Sequence, residues 1–238
     1  MCFNFSLSKH QEYIEKRFGK RFSHDGFQPV FHVSGFSGRN MPVVCMHDPE
    51  TIYPYAWPFI PETIASLEIL KKYYTYNAKS ETIFTSSFFG IAIQLKRCLV
   101  LADGFFEWHA YGSKKYPFYI KLKSGEAFAF AGIYSNWKNE ATGITHNTFS
   151  IITTRGNQLL EKVHNIKKRM PLIISKNDEE KWIDPKLTID GIKRFFKPYE
   201  DEEMIAYPVE KSYINKGIND PNAIKEISYP GLPSINSR

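Results

Sequence analysis

The sequence lacks the features of several large protein classes. Only 3 of its 238 residues are cysteine: Cys2, Cys45 and Cys98. So sparse and odd a set argues against a disulfide framework and for a reducing compartment, and a cytoplasmic protein is expected. Neither CxxC nor HExxH occurs, so no metal site and no cofactor are expected. No apolar run approaches the ~18 residues of a membrane-spanning helix. The longest, FFGIAI and MPLII, are strand-sized. Residues 1–20 hold KHQEYIEKRFGK where a secretory leader would carry its apolar stretch, so no leader is expected. Repeats, low-complexity tracts and Pro/Gly/Ser linkers are also missing. One domain over residues 1–227 with a loose tail over 228–238 is the simplest division.

What is present is an apolar, aromatic chain. Hydrophobic residues make up 42 % and aromatic residues 16 %, which excludes intrinsic disorder. The formal net charge is +6, from 31 Lys and Arg against 25 Asp and Glu. That balance suits a phosphodiester partner and equally an ordinary soluble protein. Ser8-Lys9-His10-Gln11 resembles a capping box, with Tyr13, Ile14 and Phe18 following at helical spacing before Gly19. A second helix is predicted from Glu62, with Ile64, Leu67, Leu70 and Tyr74 on one face. RCLVLADGFFEWHA, KYPFYIKLKS, EAFAFAGIYSNW and NTFSIITT then read as β-rich runs with turn signals at and between them. A short helix over Asn157–Val163, a PLIIS strand and a capped helix opening at Asn177 follow. Strands and helices mix without βαβ regularity. The expected fold is therefore α+β, one compact domain with a mainly antiparallel, barrel-like β core flanked by helices.

Three constellations carry possible chemistry. Cys2 becomes the first residue if Met1 is removed. It then offers an α-amine, with a pKa near ~7.7–8, two carbons from its own thiol. Such an aminothiol attacks an aldehyde as an amine and closes a five-membered thiazolidine. Glu107 sits between Phe106 and Trp108 in a strand, on the face opposite both and the same face as Phe105. A carboxylate in so apolar a run either reaches solvent or is paired, and partial burial would raise its pKa into the range of acid–base work. His164 ends a helix beside Lys167, Lys168 and Arg169, and an imidazole titrating near neutrality is expected there. Cys45 and Cys98 receive no role, and Cys98 lies in an apolar strand run.

In order along the chain, Met1-Cys2, Tyr76-Asn77-Ala78-Lys79-Ser80-Glu81-Thr82, RCLVLADGFFEW from Arg97 to Trp108, and a helix ending at His164 before Arg169-Met170-Pro171 resemble the signature of the SRAP family (SOS response-associated peptidase, or abasic-site processing proteins). The resemblance implies that family's α+β fold and binding to single-stranded DNA containing abasic sites, on the nucleoid when the DNA is damaged; a covalent one-to-one adduct needs only a monomer. It implies a covalent thiazolidine link from Cys2 to the ring-opened abasic sugar. Asn77 would position, Glu107 would serve as acid, base and orienting group, and His164 would transfer protons near the sugar. It further implies phosphate contacts from Arg169, and from Lys79 in place of a usual Arg. Lys167 and Lys168 add cations in an insertion before Arg169, and Trp57 could stack on an unpaired base or sugar. The chain departs from the usual pattern at Phe3 and Asn4, where Gly and Arg are common, at Pro58 for Gly, and at Ser87 for a frequent Arg. Two alternatives stand beside the crosslinker: a cysteine (auto)peptidase using Cys2 with His164, and a non-covalent single-strand binder. Lyase activity is a weaker expectation.

Overall fold

The computed structural model describes residues 2–235. Met1, whose removal is expected, and residues 236–238 of the expected tail lie outside it. Among the described residues the chain forms fourteen strands: β1 (Asn4–Leu7), β2 (Arg21–Phe22), β3 (Val30–Ser34), β4 (Asn40–Cys45), β5 (Asp48–Ala56), β6 (Asn77–Lys79), β7 (Arg97–Ala102), β8 (Gly104–Tyr111), β9 (Lys114–Leu122), β10 (Phe128–Lys138), β11 (Thr145–Arg155), β12 (Arg169–Pro171), β13 (Ile173–Ile174) and β14 (Met204–Pro208). Six short helices accompany them: α1 (Gln11–Phe18), α2 (Ala92–Leu95), α3 (Gln158–Val163), α4 (Glu179–Trp182), α5 (Ile189–Arg194) and α6 (Lys211–Lys216).

The expected barrel is present. β11, β10, β7, β4 and β5 pair antiparallel in that order. Thr148 of β11 then pairs in parallel with Ala56 of β5 and closes the ring. Closure removes the open sheet edges that would otherwise invite aggregation. β2, β6, β12 and β13 attach to this ring. A second antiparallel sheet, β14-β9-β8-β1-β3, packs beside it. Phe5, Phe105, Val100, Phe130 and Phe149 belong to one continuous core between and within these layers.

The chain crosses from barrel to second sheet at Asp103. The Asp103-Gly104 turn signal falls between two strands as expected, and those strands, β7 and β8, belong to different sheets. Asp103 works as a corner latch. It accepts from Ser6 Oγ at 2.6 Å and from the Ser8 N–H at 2.9 Å, and it is also bonded by Ser8 Oγ. Ser8 is thereby taken from the capping role its sequence suggested. α1 starts at Gln11, and its N-cap, His10, makes no side-chain cap bond. Gly104 is required next to the latch, because a Cβ there would lie 2.1 Å from the Tyr119 ring.

The segment from Glu62 is not an α-helix. It holds a 3-10 turn over Leu67–Lys72. Leu67 and Ile69 stay exposed, while Ile64 and, less fully, Leu70 pack on the cluster around Trp137. So short a stretch with little apolar surface to bury has no means of holding a helix. The segment after Ile227 also differs from the expected loose tail. Tyr229 Oη donates to the Val209 carbonyl at 2.8 Å and accepts from the Lys211 N–H at 3.1 Å, and Ile235 joins the core.

Candidate active site

The site forms where β1, β6, β8 and the end of α3 converge. β1 runs antiparallel to β8 with Phe5 opposite Phe105, so the residues leading into β1 lie alongside Glu107. Asn77, the first residue of β6, donates from Nδ2 to the Cys2 carbonyl at 2.8 Å. That bond fixes the backbone of Cys2, and the Asn77 Oδ1 is buried with no hydrogen-bond partner among the described residues. The Cys2 side chain is buried, with Sγ 3.5 Å from the Asn4 carbonyl. Asn4 itself is held by His32, whose Nε2 lies 3.0 Å from Asn4 Oδ1.

Glu107 stands on the same strand face as Phe105 and is only 3 % exposed. Phe106 and Trp108, on the opposite face, join a separate apolar cluster with Tyr119 and Tyr207. α3 is capped by Asn157, whose side chain accepts from the Leu160 N–H at 2.8 Å, and it ends at His164. The His164 ring then meets Glu107, with Nδ1 3.5 Å from Glu107 Oε2. The same Nδ1 lies 3.0 Å from the Arg169 carbonyl. A carbonyl only accepts, so Nδ1 carries the proton and Nε2 is the basic nitrogen of the neutral ring.

Burial sets the charge states. It pushes the Glu107 carboxyl up to about 7, while the charge of Lys167 works against the shift. It pushes the Cys2 thiol far above the usual thiol range, with the Glu107 charge adding to the effect. It holds His164 down at about 4. The expectation of an imidazole titrating near neutrality is therefore corrected: desolvation of the ring outweighs the hydrogen bond that favours its charged form. Near pH 7 the site holds a half-protonated carboxyl, a neutral imidazole and a protonated thiol.

A groove of about 590 Å³ opens over this pair. Phe3, Glu107, His164, Lys115, Lys167 and Lys211 line it. Lys115 and Lys211 carried no signal in the sequence, since each is one lysine among many on a distant element. Lys211 Nζ lies 5.7 Å from the centre of the Trp108 ring. Among the described residues no cluster of His, Cys, Asp or Glu is arranged to hold a metal ion.

The sequence profile of the SOS response associated peptidase (SRAP) family matches residues 1–216. The chain belongs to the SRAP family. Abasic site processing protein YoqW of Bacillus subtilis is 33 % identical over 229 residues, spanning 94 % of this chain and 99 % of that protein. An abasic site processing protein of Saccharomyces cerevisiae is 29 % identical over 190 residues, covering 78 % of this chain and 49 % of its own length. A crystal structure of a Bacteroides thetaiotaomicron protein matches with a TM-score of 0.89 at 33 % identity, covering 95 % of this chain and 100 % of that one.

In this SRAP chain the four expected catalytic side chains, Cys2, Asn77, Glu107 and His164, come together. The expected DNA contacts do not all share their setting. Lys79 and Lys168 are exposed, and Lys167 lines the groove. Lys168 has a left-handed backbone, φ 50°, where the inserted loop turns back to β12. Arg169 is already engaged, donating to both Glu81 oxygens at 2.9 and 3.0 Å and to the Thr153 carbonyl at 2.8 Å. Trp57 needs correction as a stacking residue. It is 1 % exposed, with its ring stacked on Phe149 and its Nε1 donating to the Tyr76 carbonyl at 2.8 Å. Both faces of that ring are spent inside the protein.

Proposed function

We propose that this SRAP protein processes abasic sites in single-stranded DNA, acting as a monomer. After loss of Met1 it links covalently to the ring-opened sugar and shields the lesion. The observation that carries the reading is the pairing of a buried Glu107, poised near neutrality, with neutral His164 beside the Cys2 segment.

The Cys2 α-amine adds to the sugar aldehyde carbon and gives a carbinolamine. Protonated Glu107 gives its proton to the departing hydroxyl, so water leaves and a protonated imine remains beside the Glu107 carboxylate. The thiol then adds to the carbon of that protonated imine while its own proton passes to the Glu107 carboxylate, directly or by way of His164 Nε2, which closes the thiazolidine and restores the protonated carboxyl. Amine, aldehyde and thiol are consumed, and one water is released. The Asn77 Oδ1 offers an acceptor to the substrate or to the amine. Flanking phosphates fall to Lys79, Lys167 and Lys168, and Arg169 joins them only if it gives up Glu81.

The order of events follows from the charge states. With its thiol pushed up, Cys2 is not a thiolate at neutral pH, so the amine attacks first. A cysteine peptidase needs the reverse arrangement, a depressed thiol and a raised imidazole. The electrostatics favour the crosslinker over that reading.

Mature protein incubated with a single strand carrying an abasic site should give a species that survives denaturing electrophoresis, and Cys2→Ala should give none. Equal yields from the two would reject the Cys2 assignment.

A further inference from the structure

Four aromatic rings crowd beside the Cys2 segment. Phe36 is 63 % exposed and Tyr74 73 %. Ring centroids lie 4.8 Å apart for Phe36 and Tyr76, 5.5 Å for Phe3 and Phe36, 5.7 Å for Phe3 and Tyr76, and 6.5 Å for Tyr74 and Tyr76. A contiguous exposed aromatic patch of this kind marks an interaction surface more often than a lone exposed ring does.

The patch is tied to the reacting groups through the backbone. Phe3 follows Cys2, and Tyr76 precedes Asn77. The Gly35 N–H donates to the Phe3 carbonyl at 2.9 Å, which sets Phe36 against both rings. Position 35 must be glycine for this, because a Cβ there would lie 2.7 Å from the Tyr76 ring and 3.1 Å from Trp57. Trp57 lies under Tyr76 with ring centroids 6.0 Å apart. It is the buried foundation of the patch rather than its surface. Phe3 also lines the groove over Glu107 and His164, so patch and groove are continuous. Exposed Arg39, Lys72 and Lys79 follow or precede these rings closely in the chain, a setting that suits a polyanion better than an apolar peptide.

We propose that Phe3, Phe36, Tyr74 and Tyr76 form a stacking ledge for the unpaired base next to the abasic sugar. This rests on the abasic-site reading above. A base beside a lesion has lost one stacking neighbour, and an aromatic face restores it without regard to sequence. The ledge also takes over the contact that the sequence assigned to Trp57.

The test uses mature protein and a single strand with a stable, unreactive abasic analogue. A fluorescent adenine analogue, dimmed by stacking, is placed on one side of the lesion or on the other. Wild type should quench the fluorophore on one side. The double variant Phe36→Ala, Tyr74→Ala should lose that quenching and bind about tenfold more weakly. Its crosslinking rate on a natural abasic strand at saturating DNA should stay within about twofold of wild type. Phe36→Trp, which keeps a ring, should retain both quenching and affinity. Both altered rings are exposed, so thermal midpoints should match. Unchanged quenching and affinity in the double variant would overturn the ledge. Because the analogue cannot react, that result is independent of whether wild type crosslinks a natural abasic strand, which tests the underlying reading on its own.

Discussion

Two titratable side chains 3.5 Å apart have been pushed in opposite directions by the same burial. The carboxyl is raised to about 7 and the imidazole lowered to about 4. Crosslinking should therefore depend on pH as a bell. It should fall below the α-amine pKa, near ~7.7–8, and again as Glu107 ionises. In Glu107→Gln the upper limb should vanish, and the rate at the optimum should drop by about 10²–10⁴-fold, read from single-turnover time courses. The stability signs follow by linkage. Glu107 is raised above its unfolded value, so its contribution is present at low pH and lost as pH rises from about 4.5 to about 7. Glu107→Gln should thus stabilise the fold at pH 8 by on the order of 3 kcal/mol, read as a raised thermal midpoint, and change it little at pH 4. His164 is lowered, so its contribution is present above about 6.5 and is lost as pH falls toward about 4. Its ring resonances should stay at their neutral positions from pH 8 to pH 6; a midpoint near the ordinary imidazole value would contradict the buried assignment. Cys2→Ala keeps its α-amine but cannot close the ring, so its imine persists. Gel analysis should show more strand cleavage from it than from wild type. That Cys2, Asn77, Glu107 and His164 share one place in the fold was legible because their flanking motifs are distinctive. The charge of His164 was not, because the sequence shows its cationic neighbours and not the desolvation that decides the outcome.

At the scale of elements, the corner at Asp103 and Gly104 holds β1, into which the Cys2 segment leads, in place. β1 is fastened to the start of β8 through Ser6, Ser8 and Asp103. Asp103→Ala would leave the Ser8 N–H without its partner and reduce the buried Ser6 hydroxyl to its bond with Tyr119 Oη, at a cost of about 1–3 kcal/mol in denaturant titrations. Gly104→Ala would drive a methyl into Tyr119 and should cost at least as much. Both should slow crosslinking even where the fold survives, because the Cys2 segment leads directly into β1. The strands were legible wherever apolar runs and turn residues coincide, as along β8 to β11. The sheet change at Asp103 was not, because Asp-Gly looks the same whether the chain folds back on one sheet or passes to another. The helix expected from Glu62 failed for a tertiary reason: Leu67 and Ile69 have nothing to pack against.

For the whole molecule, the distribution of charge matters more than its total of +6. Arg169 is engaged by Glu81, which leaves Lys79, Lys167 and Lys168 of the contacts expected from the sequence, with Lys115 and Lys211 beside Lys167 in the groove. Three to five contacts predict a slope of about −2 to −3.5 for log affinity against log salt on a single strand, reduced by about 0.7 in Lys167→Ala. The segment after Ile227 contributes to stability, since Tyr229 bridges Val209 and Lys211. Truncation there should lower stability by about 2–4 kcal/mol, read as a shifted denaturant midpoint. The central claim is covalent capture by Cys2, and intact mass tests it most directly. Protein lacking Met1, exposed to an abasic oligonucleotide, should appear at the sum of the two masses less one water, and Cys2→Ala should show no stable adduct. Finding only unmodified protein and free oligonucleotide, with Met1 loss verified in the same spectrum, would contradict the account.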